Sequence, residues 1–166
     1  SGTITVNITG TNDTATVSSA TTAVSEGNSA ADLNASGKLT ISDADTGEAH
    51  VVAKQYAGTY GTFNVDVNGN WTYAGNGAHD ELTAGQKVSD STTVTSQDGT
   101  ASGTITVNIT GTNDLATVSS ATTAVSEGNS AADLNASGKL TISDADTGEA
   151  HVVAKQSVAG TYGTFN

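Results

Sequence analysis

Residues 104–110 read Thr-Ile-Thr-Val-Asn-Ile-Thr, so Ile105, Val107 and Ile109 alternate with Thr104, Thr106, Asn108 and Thr110. Successive side chains of a strand point to opposite faces, and this period of two puts the three aliphatic residues on one side and the polar residues on the other. That is the pattern of a half-buried antiparallel strand. It recurs in short form along Lys38-Leu39-Thr40-Ile41-Ser42. Thr-Phe-Asn-Val-Asp-Val at 62–67 and Trp-Thr-Tyr at 71–73 flank Asn68-Gly69-Asn70, a hairpin about an Asn-Gly turn. Ser-Thr-Thr-Val-Thr-Ser at 91–96 runs into Gln97-Asp98-Gly99-Thr100, a second tight turn, after which the strand beginning at Ser102 follows. Only residues 78–87 have room for a helical turn. About seven short strands, with turn residues every ~8–12 positions, predict an all-β, Ig-like antiparallel β-sandwich.

The composition narrows what such a fold can do. The chain has 166 residues, a net charge of -12, five lysines and no arginine. Phosphate neutralisation needs a basic patch, so nucleic acid is excluded as a partner. No apolar run approaches the ~18 residues that span a bilayer. With no cysteine, neither disulfides nor thiolate chemistry is available. With no methionine and no charged-then-apolar leader, the chain reads as an excerpt of something longer. Apolar residues make up 35% and charged residues 13%; low hydrophobicity with high net charge can mean disorder, but the Thr/Val alternation argues for strands.

The chain also repeats itself. Ser1 through Asp13 returns as Ser102 through Asp114, and Ala15 to Gln55 returns as Ala116 to Gln156, an offset of 101 residues. Thr14 becomes Leu115, Tyr56 becomes Ser157-Val158, and residues 57–64 return as 159–166. A period of this size is a whole small domain, so the expectation is a string of β-sandwiches in tandem. Residues 14–114 form one complete repeat, residues 1–13 the last strand and linker of a preceding one, and residues 115–166 the first half of a following one. A permuted boundary, with 65–166 as the unit, is the alternative. Near-verbatim duplication of a domain is a way to gain reach and is rare in enzymes, so no enzymatic activity is expected.

Thr59-Tyr-Gly-Thr-Phe63, Asn68-Gly-Asn-Trp-Thr-Tyr73, Leu82-Thr-Ala-Gly-Gln86 and Gly103-Thr-Ile-Thr-Val-Asn-Ile-Thr-Gly-Thr-Asn-Asp114 resemble, in that order, the VCBS repeat. This is a bacterial cadherin-like, immunoglobulin-like module found in tandem in RTX-type giant adhesins and biofilm proteins. The resemblance implies a secreted, extracellular or cell-surface β-sandwich, calcium at the joints between repeats, neighbouring repeats of the same protein as partners, and a role as extender between anchor and tip.

Acidic residues carry the expected chemistry. Asp43-Ala-Asp45-Thr-Gly47-Glu48 follows a strand, sets alternate carboxylates on one side of a loop and allows a sharp bend at Gly47. Hard oxygen donors in a flexible loop suit Ca²⁺. The second copy supplies Asp144, Asp146 and Glu149. Walking up and down a seven-stranded sandwich places loop 43–48, Asp98 and the linker residues Asn12 and Asp13 at the end where the chain enters. Glu26 and the crossover His79-Asp80-Glu81 fall at the far end, where Asn113 and Asp114 leave. A joint would then gather Glu26, Asp80 or Glu81, Asn113, Asp114, Asp144 and Asp146, much as in cadherins. Carboxylates converging without arginine repel one another and call for a cation.

Other residues point less far. His79 next to Asp80 and Glu81 has no second histidine nearby for zinc. No G-x-S-x-G elbow or Cys-His pair marks a nucleophile. Trp71, Tyr73 and Tyr60 are either a sugar-binding platform or part of the core. Of a different class from the adhesin extender is a self-assembling extracellular fibre or matrix subunit, completed by strand exchange between copies.

Overall fold

The computed structural model describes residues 1–166. It divides into two compact units: residues 1–79 with 84–112, and residues 80–83 with 113–166. No helix is long and apolar enough to cross a membrane.

The first unit holds nine strands. These are β1 (Thr16–Val17), β2 (Ala20–Ser25), β3 (Ala35–Lys38), β4 (Ile41–Ser42), β5 (Lys54–Ala57), β6 (Gly61–Val65), β7 (Asn70–Gly75), β8 (Lys87–Thr95) and β9 (Ser102–Thr110). One sheet has the order β2-β9-β8 and the other β3-β7-β6-β5, while β1 pairs separately with β4. Every pairing is antiparallel except β2 with β9, which is parallel, with Ala20 opposite Ile105 and Ser25 opposite Thr110. The fold is thus all-β, as the alternation predicts. β9 and β8 pair in full register from Lys87↔Thr110 to Thr95↔Ser102.

The inward faces make the core. Ile105, Val107 and Ile109 of β9 are 0% exposed, with Phe63, Val65, Trp71, Tyr73, Val94, Leu33 and Leu39 also buried. The Phe63 and Tyr73 rings lie 4.7 Å apart, a contact that adds to the apolar area removed from water. Trp71 and Tyr73 are buried, which removes the sugar-platform alternative. The two sheets are joined through Asp90 of β8, a buried carboxylate. It accepts the Thr59 N–H (2.9 Å), the Tyr60 N–H (2.9 Å) and the Tyr73 hydroxyl (2.6 Å). Gly58 makes room for it, since a Cβ there would stand 2.2 Å from the carboxylate.

Two features lie outside the sequence expectation. Residues 78–86 form turns and irregular backbone and no helix, with His79 at φ 65°, and Lys87 already opens β8. A one-turn 3-10 helix stands instead at Ala30–Leu33, where Asp32 caps the Ser29 N–H at 3.0 Å.

The second unit repeats only local pieces of the first. β10 (Thr117–Val118) pairs with β11 (Ile142–Ser143), β12 (Val158–Ala159) pairs with β13 (Thr164–Phe165), and a 3-10 turn spans Ala131–Leu134. Residues 121–126 and 136–139, identical to β2 and β3, join no strand. Leu134, Leu140 and Phe165 are 40%, 43% and 72% exposed, whereas their counterparts Leu33, Leu39 and Phe63 are 0–1% exposed. In the first unit β2 and β3 are held by β9 and β7, and residues 115–166 contain no copy of either. A strand without a partner does not persist on propensity alone.

Candidate metal centre

In the first unit, β4 ends and the chain turns sharply through residues 43–48. The Asp43 Oδ1 accepts the Asp45 N–H (2.9 Å), and the Asp45 carbonyl accepts the Glu48 N–H (3.2 Å). Gly47 carries the bend at φ 87°, a conformation that L side chains rarely adopt. The β8–β9 turn presents Asp98, whose carboxylate accepts the Thr100 hydroxyl (2.5 Å), the Thr100 N–H (3.2 Å) and the Asn12 amide (3.1 Å).

These two turns bring Asp43, Glu48 and Asp98 together, with one carboxylate oxygen from each lying within 4.8 Å of the others. Two like charges ~4 Å apart repel by about 1 kcal/mol in water and about 4 kcal/mol at an effective dielectric constant near 20. The Asp43 Oδ2 is buried and has no hydrogen-bond partner, so it carries a desolvation cost that no donor offsets. Hydrogen bonds from the Ser96 and Thr100 hydroxyls, with a further one from Asn12, hold the Asp98 carboxyl well below the usual carboxylate range. Asp98 is therefore an anion at neutral pH, as a metal ligand must be. The linker is tied to the same place, because the Asp13 N–H donates to Asp45 Oδ2 (2.7 Å) and Asn12 donates to Asp98.

At the other end of this unit, Glu26 is 3% exposed. Its Oε2 accepts the Thr112 N–H (2.7 Å) and hydroxyl (3.2 Å), while its Oε1 has no partner.

The second unit rebuilds the loop-and-linker arrangement. The Asp144 Oδ1 accepts the Asp146 N–H (3.0 Å), and Asp146 Oδ2 accepts the Asp114 N–H (2.9 Å). The Asn113 side chain bridges to the Asp114 carbonyl. Asp146 is 2% exposed and its Oδ1 has no partner; the buried Asp80 Oδ1 has none either. One carboxylate oxygen each from Asp80 and Asp114 lie within 4.8 Å of one another. The Glu81 carbonyl accepts the Thr147 N–H (3.3 Å).

The structure thus places Asn12, Asp13, Asp43, Asp45 and Asp98 at one end of the first unit, with Glu26 at its other end. It places Asp80, Glu81, Asn113, Asp114, Asp144 and Asp146 in the second unit. Sequence reasoning did not single out Ser96, Thr100 and Thr112, which orient the carboxylates. A Thr two residues after an Asp in a turn is the cue that could have found Thr100, since its N–H and hydroxyl both reach back. His79 makes its 2.7 Å contact with Asn76 and belongs to no such acidic group.

Acidic groups that can hold a metal ion are therefore present in the fold. No protein-family model and no curated protein matches this chain.

Proposed function

We infer that the chain is a calcium-stiffened extender of a secreted bacterial surface adhesin, a non-enzymatic repeat that sets an adhesive tip at a distance in cell attachment or biofilm. One observation carries the reading. Asp43, Glu48 and Asp98 converge where the linker enters, and the buried Asp43 Oδ2 lacks any donor. The resemblance of the motifs at 59–63, 68–73, 82–86 and 103–114 to the VCBS repeat supports it independently.

The donor set is all oxygen, on two turns rather than on rigid helices, and Ca²⁺ takes roughly six to eight such ligands in flexible geometry. A cation bound by Asp43, Glu48 and Asp98 would tie loop 43–48 to the β8–β9 turn. Because Asn12 and Asp13 hang on Asp98 and Asp45, the path of the linker would be fixed with them. A string of repeats clamped in this way resists bending at each linker. Extracellular modules bind Ca²⁺ at ~10⁻⁴–10⁻³ M, so the clamp is loose in cytosol and closed outside the cell. Its partners would be neighbouring repeats of the same protein.

Calorimetric titration of the chain tests this. Ca²⁺ is expected to bind in the submillimolar to millimolar range and more tightly than Mg²⁺, and Asp43→Asn is expected to remove one class of sites. Absence of any Ca²⁺ binding up to extracellular concentrations would remove the reading.

A further inference from the structure

Within the first unit, β2 ends its sheet: it pairs with β9 on one side and with no strand on the other. Its register runs unbroken from Ala20↔Ile105 to Ser25↔Thr110, so the strand carries no bulge. The Glu26 N–H that follows it donates to the Thr110 carbonyl at 2.8 Å. Backbone groups of successive strand residues point to alternate sides, so those of Ala20, Thr22 and Val24 point to β9 as the Glu26 N–H does. The N–H and C=O groups of Thr21, Ala23 and Ser25 therefore face away from β9, and no other segment of backbone bonds to them. The other sheet edges are guarded. β8 carries Lys87 and turns Asp90 inward, and its Thr95 carbonyl accepts the Val52 N–H at 3.0 Å. β3 and β5 have four residues each and carry Lys38 and Lys54. Short length, lysines and inward charges all keep an edge from pairing. β2 has six residues, Ala-Thr-Thr-Ala-Val-Ser, with neither charge nor proline.

We propose that the open edge of β2 pairs with β2 of a second copy, antiparallel about a two-fold axis at Ala23. Ala23 then faces Ala23, Thr21 faces Ser25 and Thr22 faces Val24. Every residue whose backbone groups point outward enters a hydrogen-bonded pair, for about six bonds in all. A shift of one residue sets outward-pointing groups against groups already turned to β9, so this register is the one that satisfies the edge. The side chains agree with it. Thr21, Ala23 and Ser25 are small and exposed on the outer face, while Thr22 and Val24, half-buried in the single molecule, form a β-branched cross-strand pair on the inner face.

The occupant follows from symmetry and charge. The edge is its own complement, as an isologous contact requires, and the contact closes at the dimer. A foreign basic strand would be drawn to the acidic loops of this chain of charge -12, whereas β2 offers it no charge; the same neutrality lets two copies meet here without placing carboxylates face to face. The two three-stranded sheets, each ordered β2-β9-β8, continue into one another. Because the paired strands are antiparallel, the two chains run in opposite directions. On the tether reading above, that geometry suits copies reaching from opposed surfaces rather than neighbours on one surface.

The contact uses no metal, so it is tested apart from calcium binding, by sedimentation of the whole chain from micromolar to millimolar concentration in EGTA. Moderate salt screens the charge of -12. The expected result is an average mass that rises with concentration and levels at two chains, while the amides of Thr21, Ala23 and Ser25 exchange more slowly. Ala23→Lys sets two ammonium groups against each other at the axis and is expected to hold the chain monomeric. Asn108→Lys adds the same charge directly beside Ala23, one strand in from the edge, and is expected to leave the dimer intact. Both side chains are exposed, so both variants keep the fold, and an unchanged urea midpoint checks this. A monomer at every concentration, a mass that passes beyond two chains, or association that responds equally to the two variants would overturn the proposal.

Discussion

Asp90 shows how much one carboxylate can organise. It collects two backbone N–H groups and the Tyr73 hydroxyl between the sheets. Asp90→Ala leaves the buried Tyr73 hydroxyl and two part-buried N–H groups unmatched and is expected to cost about 1–3 kcal/mol. Tyr73→Phe keeps the ring on Phe63 and loses one bond, for about 1–2 kcal/mol, read as a lower urea midpoint at unchanged m. The pH response has a definite sign. Burial, reinforced by the bond to Asp90, pushes the Tyr73 phenol above its ordinary range, so the fold stabilises its neutral form. That contribution is complete below the ordinary phenol pKa of about 10 and is lost as pH rises beyond it. Tyr73→Phe is therefore expected to flatten the alkaline decline in stability. Asp66 behaves oppositely. The Asn70 side chain, with the Asn68 and Asn70 N–H groups, lowers its carboxyl below the ordinary value. Its contribution is present above about pH 4 and fades as pH falls, and Asp66→Asn should weaken the acid dependence.

The duplicated strands and turns separate local from long-range causes within one molecule. Leu33 and Leu134 sit in identical 3-10 turns, one fully buried and the other 40% exposed. Leu33→Ala is expected to cost about 2–5 kcal/mol and Leu134→Ala less than ~0.5 kcal/mol, by denaturant unfolding of each variant. The same contrast explains which elements could be read beforehand. Strand β9 announces itself through Ile105, Val107 and Ile109, and the β6–β7 hairpin through Asn68-Gly69, because both codes are local. The parallel partnership of β2 with β9 joins residues some 85 apart in sequence, and nothing in Ala-Thr-Thr-Ala-Val-Ser names its neighbour. A helical turn at 78–87 is interrupted by His79 at positive φ and by Gly85 at φ 77°, while the capped turn at 30–33 is a single 3-10 turn, too short to leave a helical period in the sequence. Of the candidate centre, Asp43 and Glu48 were readable as one loop motif. Asp98 needed the up-and-down walk to be placed beside them, and Thr100 needed the hydrogen bonds themselves.

The two units differ in how much of their sequence is held by long-range pairing, and their amide exchange should differ accordingly. Slow exchange is expected in β6–β9 and fast exchange throughout residues 115–166. Acidic residues are gathered at the linkers of a chain already carrying a charge of -12, and this concentration of anions is what a divalent cation would relieve. A cation that binds the folded state alone adds about 2.7 kcal/mol at 100 times its dissociation constant. The most direct measurement is the melting temperature of the whole chain with saturating Ca²⁺ and with EGTA, for the native sequence and for the Asp43→Asn, Asp98→Asn pair. The account predicts a higher melting temperature in Ca²⁺ that EGTA reverses, with the increment for the first unit lost in the double variant. A melting temperature indifferent to both Ca²⁺ and EGTA would contradict it.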